Sequence, residues 1–220
     1  MVTLVSGRRR CGATRSLVLL LATTCALPLA AQGGAAAAKR APDPVLAPAP
    51  WAPPAPGTTF RYEGFTYRVG RTEGWRTSFV DDRGAPGQQL SLFFSEDPRK
   101  PFKFPSDSIA VLWPLRTGGR TSFQVFKGEL QWRYVLRVIG TERVTVPAGT
   151  FDTYLVTALE LPLLTSDPAG VRTRMTTFWY APSINAVVRF LAITTTPAGE
   201  KTQRKVQLLS ITAPTAATRR

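Results

Sequence analysis

The stretch that decides the fold is Val144-Thr145-Val146-Pro147-Ala148-Gly149-Thr150-Phe151-Asp152-Thr153-Tyr154-Leu155-Val156. Two runs rich in β-branched and aromatic residues flank a Pro-Ala-Gly loop, which is the pattern of a β-hairpin. Gly149 is expected to take the left-handed conformation that a three-residue hairpin loop requires. A second stretch, Thr177-Phe178-Trp179-Tyr180-Ala181-Pro182, is typical of an aromatic strand that a proline ends. Together they predict a β-rich domain, and they indicate no reaction chemistry.

Alternation of apolar and polar residues continues through residues 58–212. Turn signals recur about every 8–12 residues, a spacing typical of antiparallel all-β domains. The clearest strand runs from Glu129 to Ile139, with Trp132 and Tyr134 on its apolar face. The only helical signal is one short turn at Ser106–Leu112. We therefore predict an all-β domain, built as a single antiparallel curled sheet, sandwich or half-barrel of about nine to ten strands.

The segments outside this domain predict export. Residues 1–31 place four arginines before an apolar run and end in small residues, as cleaved signal peptides do. The apolar run is too short to cross a bilayer core of about 30 Å, which disfavours a membrane anchor. Residues 32–57 are an Ala/Pro-rich linker expected to form a semi-rigid spacer, and residues 213–220 are expected to be a disordered tail. The expected location is periplasmic or secreted.

Cysteine and histidine usage limits the chemistry. Both cysteines, Cys11 and Cys25, lie in the predicted signal, so the remaining chain has neither cysteine nor histidine. Lipidation of Cys25 is disfavoured, because a residue smaller than Thr24 is expected before a lipidated cysteine. A chain without these residues lacks a Ser-His or Cys-His nucleophile pair and an ordinary zinc site. We expect a protein that is not an enzyme and that uses no metal and no cofactor.

The charge balance predicts anionic partners. The chain carries a formal net charge of +14, and removal of the four signal arginines leaves +10. Such an excess attracts acidic partners, and for an exported protein these are anionic lipid headgroups rather than nucleic acid. The alternative is that the arginines form an ordinary solvated surface.

Three motifs together resemble a known family. Trp113-Pro114-Leu115-Arg116-Thr117-Gly118 precedes the hairpin, and Trp179-Tyr180-Ala181-Pro182 follows it. In this order, over roughly residues 58–211, the chain resembles the exported bacterial domain-of-unknown-function 3108-like family. Members usually carry a further tryptophan where Ser122 and Phe123 stand in this chain. They also usually carry a glycine within a few residues after the Trp-Tyr-Ala-Pro motif. The resemblance implies an exported β-rich envelope protein without known enzymatic activity, and it implies no catalytic residues.

Five aromatic residues are the candidate ligand-binding residues. A curled antiparallel sheet can enclose an apolar cavity that accepts acyl chains. The alternative is that these side chains fill an ordinary core. Trp179 and Tyr180 are neighbours in one strand, so they should point to opposite faces. The candidates are Trp113, Trp132, Tyr134, Trp179 and Tyr180.

A basic loop is the candidate membrane or anion contact, with Arg99, Lys100, Phe102 and Lys103 as its residues. Alternating cations and aromatic rings suit an anionic membrane surface, although an ordinary exposed loop would have the same composition. Asp152 is expected to cap turn amides or to pair with a cross-strand arginine.

The leading hypothesis is a non-catalytic envelope protein that binds an apolar or amphiphilic ligand on an aromatic concave face. The alternative is a structural or protein-interaction module of the cell envelope with a fully packed core, which would dock on an envelope protein.

Overall fold

A computed structural model describes residues 42–96, 103–127, 130–164 and 172–214. These ranges contain eleven strands and one short helix. The elements are β1 (Thr59–Tyr62), β2 (Phe65–Glu73), β3 (Arg76–Asp81), β4 (Pro86–Leu90), β5 (Phe94–Glu96), α1 (Ser106–Ala110), β6 (Arg120–Lys127), β7 (Leu130–Val146), β8 (Gly149–Leu164), β9 (Thr173–Ala181), β10 (Ala186–Thr195) and β11 (Lys201–Thr212).

The strands form a single antiparallel sheet in the order β5-β4-β3-β2-β1-β11-β10-β9-β8-β7-β6. Strands β5 and β6 are its two edges, and the first and last strands pair at its centre. The predicted all-β antiparallel class is confirmed. The strand count is eleven rather than about nine to ten. Alternation at residues 89–94 is typical of one strand, but Ser91 and Leu92 adopt positive φ angles and separate β4 from β5. The described part of the chain holds no helix with the length and apolar character needed to span a bilayer.

The predicted strand at residues 129–139 belongs to a longer element. β7 continues to Val146 because Gly140 sits at a β-bulge, where the register to β8 shifts, and not at a turn. Tyr134, Leu136 and Val138 are buried on one face, and Arg133 and Arg137 are exposed on the other. The predicted facing of this strand is confirmed.

The signature hairpin has a shorter loop than its sequence predicts. Val146 pairs with Gly149, so the turn contains only Pro147 and Ala148, and the expected three-residue loop is wrong. Gly149 has a φ of +140°, which still favours glycine. The tip of the hairpin reaches the last strand, where the Ala148 N–H donates to the Leu208 carbonyl at 3.2 Å.

Two apolar clusters form the core. The first includes Leu90, Ile109, Leu136 and Val156, and joins α1 to strands β4 to β10. The second includes Phe60, Val146, Val188 and Leu208, and joins the hairpin tip to β1, β2, β10 and β11. The hairpin tip and the aromatic end of β9 therefore meet in three dimensions, because both contribute to the second cluster.

Residues 44–51, which we call the N-terminal strap, lie against the sheet. Ala49 is buried and pairs with Leu115 through two backbone hydrogen bonds of 2.8 and 2.9 Å. The Tyr154 hydroxyl donates to the Ala47 carbonyl at 2.7 Å, and the Thr141 hydroxyl donates to the Pro44 carbonyl. The sequence assigns this segment to a spacer. Its carbonyls have no partner within a proline-rich chain, so they are available to side-chain donors on β7 and β8.

Trp51 anchors the C-terminal end of the N-terminal strap. Its ring centroid lies 5.3 Å from those of both Trp75 and Trp113. Its indole N–H donates to the Gly74 carbonyl at 3.3 Å. A tryptophan within a proline-rich segment is more often a loose side chain by its sequence alone, but here three tryptophan rings pack together.

Candidate ligand-binding groove

An open cavity of about 370 Å³ lies between strands β1–β4 and β9–β11, and we call it the first chamber. Half of its lining residues are aromatic, and Arg204 and Asp81 supply its charged groups. The aromatic residues include Tyr62, Tyr67, Phe79, Phe93, Phe178 and Phe190. Such a lining suits an apolar ligand, with polar atoms at few positions.

A second cavity of about 300 Å³ adjoins the first and is called the second chamber. Tyr134, Phe104, Glu160, Lys127 and Arg174 are among its lining residues. Both cavities share Phe93, Ser95, Phe178 and Phe190. The two chambers therefore adjoin along these four shared side chains, and together we call them the inner groove.

The register of the sheet explains why there is space. Ala158, Thr176 and Ala192 are Cα partners across β8, β9 and β10, and together they form one row of small, buried side chains. The neighbouring row on the same face contains Val156, Phe178 and Phe190. Ala158 and Thr176 of the small-residue row line the second chamber beside Phe178 and Phe190, so the sheet surface is hollow next to the phenylalanines.

Burial keeps the tyrosines of the groove neutral. Burial raises the pKa of Tyr62 well above its ordinary value, and it also raises the pKa of Tyr67. Burial, followed by the nearby charge of Glu160, raises the pKa of Tyr134. The Tyr62 hydroxyl donates to the Val187 carbonyl at 2.7 Å. These hydroxyls are therefore fixed, uncharged hydrogen-bonding groups.

The carboxylates of the groove already have partners. Asp81 Oδ1 accepts the backbone N–H groups of Arg83 at 2.9 Å and Ala85 at 2.7 Å. Glu160 Oε2 accepts the Tyr134 hydroxyl at 3.0 Å and lies 3.6 Å from Lys127 Nζ. Both negative charges are thus offset by neighbouring groups.

Lys127 is held over aromatic rings. Its Nζ lies 5.0 Å from the ring centroids of both Trp132 and Tyr134, and 6.0 Å from that of Phe104. Cation–π attraction to these rings adds to its contact with Glu160. Lys127 therefore covers the Trp132 end of the second chamber.

The five aromatic candidates fall into different places. Tyr134 lines the second chamber. Trp113 and Tyr180 are buried in the first core cluster with their ring centroids 5.4 Å apart, and Trp132 packs against the same cluster. Trp179 packs on the second cluster. Neighbouring residues of β9 thus face opposite sides, as expected.

Trp179 takes part in a polar contact on its own face of the sheet. Its indole N–H donates to Glu142 Oε2 at 2.8 Å, and the Arg189 guanidinium lies 5.3 Å from its ring centroid. The contact joins β9 to β7 and to β10. It leaves Trp179 outside the inner groove.

The basic loop falls mostly outside the described residues. Arg99, Lys100 and Phe102 lie there, and Lys103 is exposed where the described chain resumes. Sequence reasoning overlooked Phe178, Phe190, Arg174 and Arg204. Alternation along β9 and β10 carried a signal for the two phenylalanines, but their pairing depends on the register between strands.

Asp152 pairs with an arginine across the hairpin, as predicted. Arg143 Nε and Nη2 donate to its two carboxylate oxygens at 2.6 and 3.1 Å. The hydrogen bond from Arg143 lowers the pKa of Asp152. Within the described ranges, no three acidic residues come together in a way that could hold a metal ion. Asp152 is therefore a structural residue of the hairpin.

Residues 103–205 match the model of a family described as "Protein of unknown function (DUF3108)". The matched segment contains all three motifs on which the resemblance rests, so the predicted family resemblance is confirmed over this segment. It spans α1, strands β6 to β10 and the first part of β11. No curated protein matches the chain.

Several solved structures are similar to the chain. A candidate exported protein with a YmcC-like fold from Bacteroides fragilis is 15% identical, with a TM-score of 0.40 over 75% of this chain and 100% of that chain. The hypothetical lipoprotein YmcC from Escherichia coli is 12% identical, with a TM-score of 0.40 over 72% of this chain and 84% of that chain. A candidate lipoprotein from Parabacteroides distasonis is 13% identical, with a TM-score of 0.40 over 76% of this chain and 100% of that chain.

Proposed function

We propose that this chain, whose residues 103–205 match a family of unknown function, is a non-catalytic binding protein of the cell envelope. Its ligand is apolar or amphiphilic and occupies the inner groove. The observation that carries the proposal is the pair of adjoining chambers, which share aromatic lining residues.

The size and lining of the groove support this function. Ligand pockets are typically about 300–1,000 Å³ and mostly apolar, with few polar groups. The chambers have volumes of about 370 and 300 Å³, and aromatic rings dominate the first. Transfer of an apolar chain from water onto these rings is favourable by about 25 cal/mol per Å² of apolar surface buried.

The N-terminal sequence and the net charge support the location and the partners. A segment typical of a cleaved signal precedes the domain, and the chain without it carries a formal net charge of +10. We place the protein in the periplasm or outside the cell, beside anionic membrane surfaces rather than nucleic acid. A lipid or another amphiphile is the class of ligand available there.

Native mass spectrometry of the full chain, produced in a bacterial host and purified without detergent, tests the proposal. Ala158→Leu adds a larger side chain at a residue that lines the second chamber, and it should remove a co-purifying lipid-sized mass. Thr157→Leu, at the neighbouring position on the opposite face of β8, is the matched control and should retain that mass.

The alternative function gives a different result. A structural or protein-interaction module should show only the mass of the protein, and an added fluorescent fatty acid should not bind to the folded wild type. That outcome would reject the ligand-binding function and direct the search to envelope protein partners.

A further inference from the structure

We propose that the inner groove selects amphiphiles with an anionic headgroup, whose charged end lies at Arg174 and Arg204. This inference rests on the proposed function and specifies the ligand class of the same site. The headgroup is a carboxylate or a phosphate, since these are the anions that a guanidinium binds with paired hydrogen bonds.

Side chains on the inner face change from apolar to charged along the strands. The three rows are defined by Cα partners across β8, β9 and β10. In order along the strands they are Val156, Phe178 and Phe190; then Ala158, Thr176 and Ala192; then Glu160, Arg174 and Thr194. Rows on one face are two residues apart, so the first and third are separated by about 13 Å. This polarity matches a molecule with an apolar chain and a charged end.

Arg204 extends the small-residue row onto the last strand. It is the Cα partner of Ala192 and lies with its guanidinium carbon 6.0 Å from the ring centroid of Phe190. It lines the first chamber, whereas Arg174 lines the second. The two arginines therefore stand on either side of the hollow that the small residues leave.

Arg174 and Arg204 line the groove without an ion pair to any residue that the structure describes, although Arg174 is the Cα partner of Glu160. Asp81 is occupied by turn amides, and Glu160 by Tyr134 and Lys127. Arg174 and Arg204 are both exposed, and neither forms an ion pair with another residue in the described part of the chain. An anionic headgroup would gain charge-assisted hydrogen bonds here without displacing an existing partner.

A ligand with a positive headgroup fits the groove poorly. Its charge would stand beside Arg174 and Arg204, and the carboxylates that could receive it already have donors. A neutral headgroup would lose the attraction to both arginines and keep only the apolar contacts. The structure thus predicts the order anionic, then neutral, then cationic for one and the same chain.

The test compares oleate, oleyl alcohol and oleylamine, which share a hydrocarbon chain, as competitors of a neutral fluorescent probe on the full-length protein. Wild type should bind oleate about two- to fivefold more tightly than oleyl alcohol, because ion pairs at exposed sites contribute less than about one tenfold step in affinity. The preference should weaken as salt is added, since the arginines are exposed.

Two double variants locate the effect. Arg174→Gln with Arg204→Gln should remove the preference for oleate over oleyl alcohol. Arg133→Gln with Arg137→Gln removes the same charge from the opposite face of the sheet and should retain the preference. Circular dichroism of both proteins confirms that each is folded.

The possible outcomes separate this inference from the function on which it rests. Equal binding of the three compounds, or tighter binding of oleylamine, would overturn the anionic selection while the ligand-binding function stands. Equal loss of preference in both double variants would assign it to net charge and overturn the headgroup position. If none of the three displaces the probe and the probe itself does not bind, the proposed function fails.

Discussion

At the scale of single residues, a buried ion pair joins β3 to β5. The Glu96 carboxylate is fully buried and accepts Arg76 Nε at 3.0 Å and the Phe104 N–H at 2.8 Å. Arg76 also donates to the Phe104 carbonyl at 2.9 Å. One carboxylate therefore ties an edge strand and the chain leading to α1 to the rest of the sheet.

Glu96→Ala should strongly destabilise the protein. Removing one partner of a buried pair leaves the other uncompensated and typically costs about 3–5 kcal/mol. Urea unfolding of the full chain measures the loss. Glu73→Ala is the matched control, because Glu73 pairs with Arg71 at an exposed site and should change stability little. Equal losses in both variants would contradict the structural role of Glu96.

In the sequence Glu96 is followed by Asp97, and two adjacent acids next to a proline are typical of a solvated turn. The adjacency is real, but burial of Glu96 depends on Arg76, which lies 20 residues earlier in the chain. Asp152 was predictable because its partner, Arg143, lies directly across a recognisable hairpin. Local pairings can thus be derived from the sequence, whereas pairings that depend on the path of the chain cannot.

At the scale of elements, β3 and β4 meet where an aromatic ring covers a glycine. Phe79 and Gly87 are Cα partners, and the ring of Phe79 lies over Gly87. A Cβ atom at residue 87 would come within 2.2 Å of Phe79 Cζ. Because Phe79 lines the first chamber, Gly87 fixes the position of one wall of the groove.

Gly87→Ala should move the Phe79 ring and so weaken ligand binding. Such overpacking typically costs about 1–3 kcal/mol of stability. Probe affinity and thermal unfolding of the full chain measure the two effects. Gly140→Ala is the control, because a Cβ at Gly140 has no atom within 4 Å, and it should alter neither property. Unchanged affinity in Gly87→Ala would show that this wall does not contact the ligand.

The N-terminal strap is a second element whose contribution can be measured. Deletion of residues 42–51 exposes Trp75, Trp113 and Leu115 and removes the acceptors of Tyr154 and Thr141. We expect the melting temperature to fall by several degrees, at roughly 2–4 °C for each kcal/mol lost. Deletion of residues 32–41, which has the same length, should leave it nearly unchanged. Equal shifts would mean that the strap does not stabilise the sheet.

The bounds of the strands were predictable where apolar and polar residues alternate regularly. The predictions failed where the backbone departs from regular strand geometry. The faces of β7 follow from its sequence, whereas the bulge at Gly140 resembles a strand end. A run of prolines indicates an extended chain but not whether a surface receives it. For residues 44–51 it is the packing of Trp51 that holds the segment against the sheet. Its partners, Trp75 and Trp113, come from two distant parts of the chain.

At the scale of the whole molecule, every tyrosine has a raised pKa. The chain contains five tyrosines, and burial is the largest cause for Tyr62, Tyr67, Tyr134, Tyr154 and Tyr180. The folded protein therefore keeps protons that the unfolded chain releases near the ordinary value of 10.0. Stability must fall as the pH rises above that value, since the unfolded state then binds fewer protons.

Alkaline titration should show tyrosinate absorbance and loss of near-ultraviolet circular dichroism in one common step. The same titration in urea should show ionisation at the ordinary value. An early phase of tyrosinate absorbance in the folded protein would mean that one or more of these hydroxyls is open to solvent.

The class of fold was predictable from the sequence, but the groove was not. Alternation is a property of one strand, and it gives the antiparallel β class directly. The hollow at Ala158, Thr176 and Ala192 exists only because three strands align in one register. Sequence analysis names tryptophans and tyrosines as the ligand-binding candidates. The space in the groove instead depends on the small residues beside the phenylalanines.

The pairing of β1 with β11 has a consequence for how the chain could be reconnected. Thr59 stands opposite Thr212, so the first and the last strand of the chain lie side by side in the sheet.

A circular permutant that joins these ends and opens between β5 and β6 would run from β6 through β11 to β1 and on to β5. In that permutant the order along the chain would equal the order across the sheet, and every strand pairing would be between consecutive strands. The central pairing of the first and last strands would become a hairpin, so the permutant should fold faster than the natural chain, because contacts that are local in sequence require less loop closure.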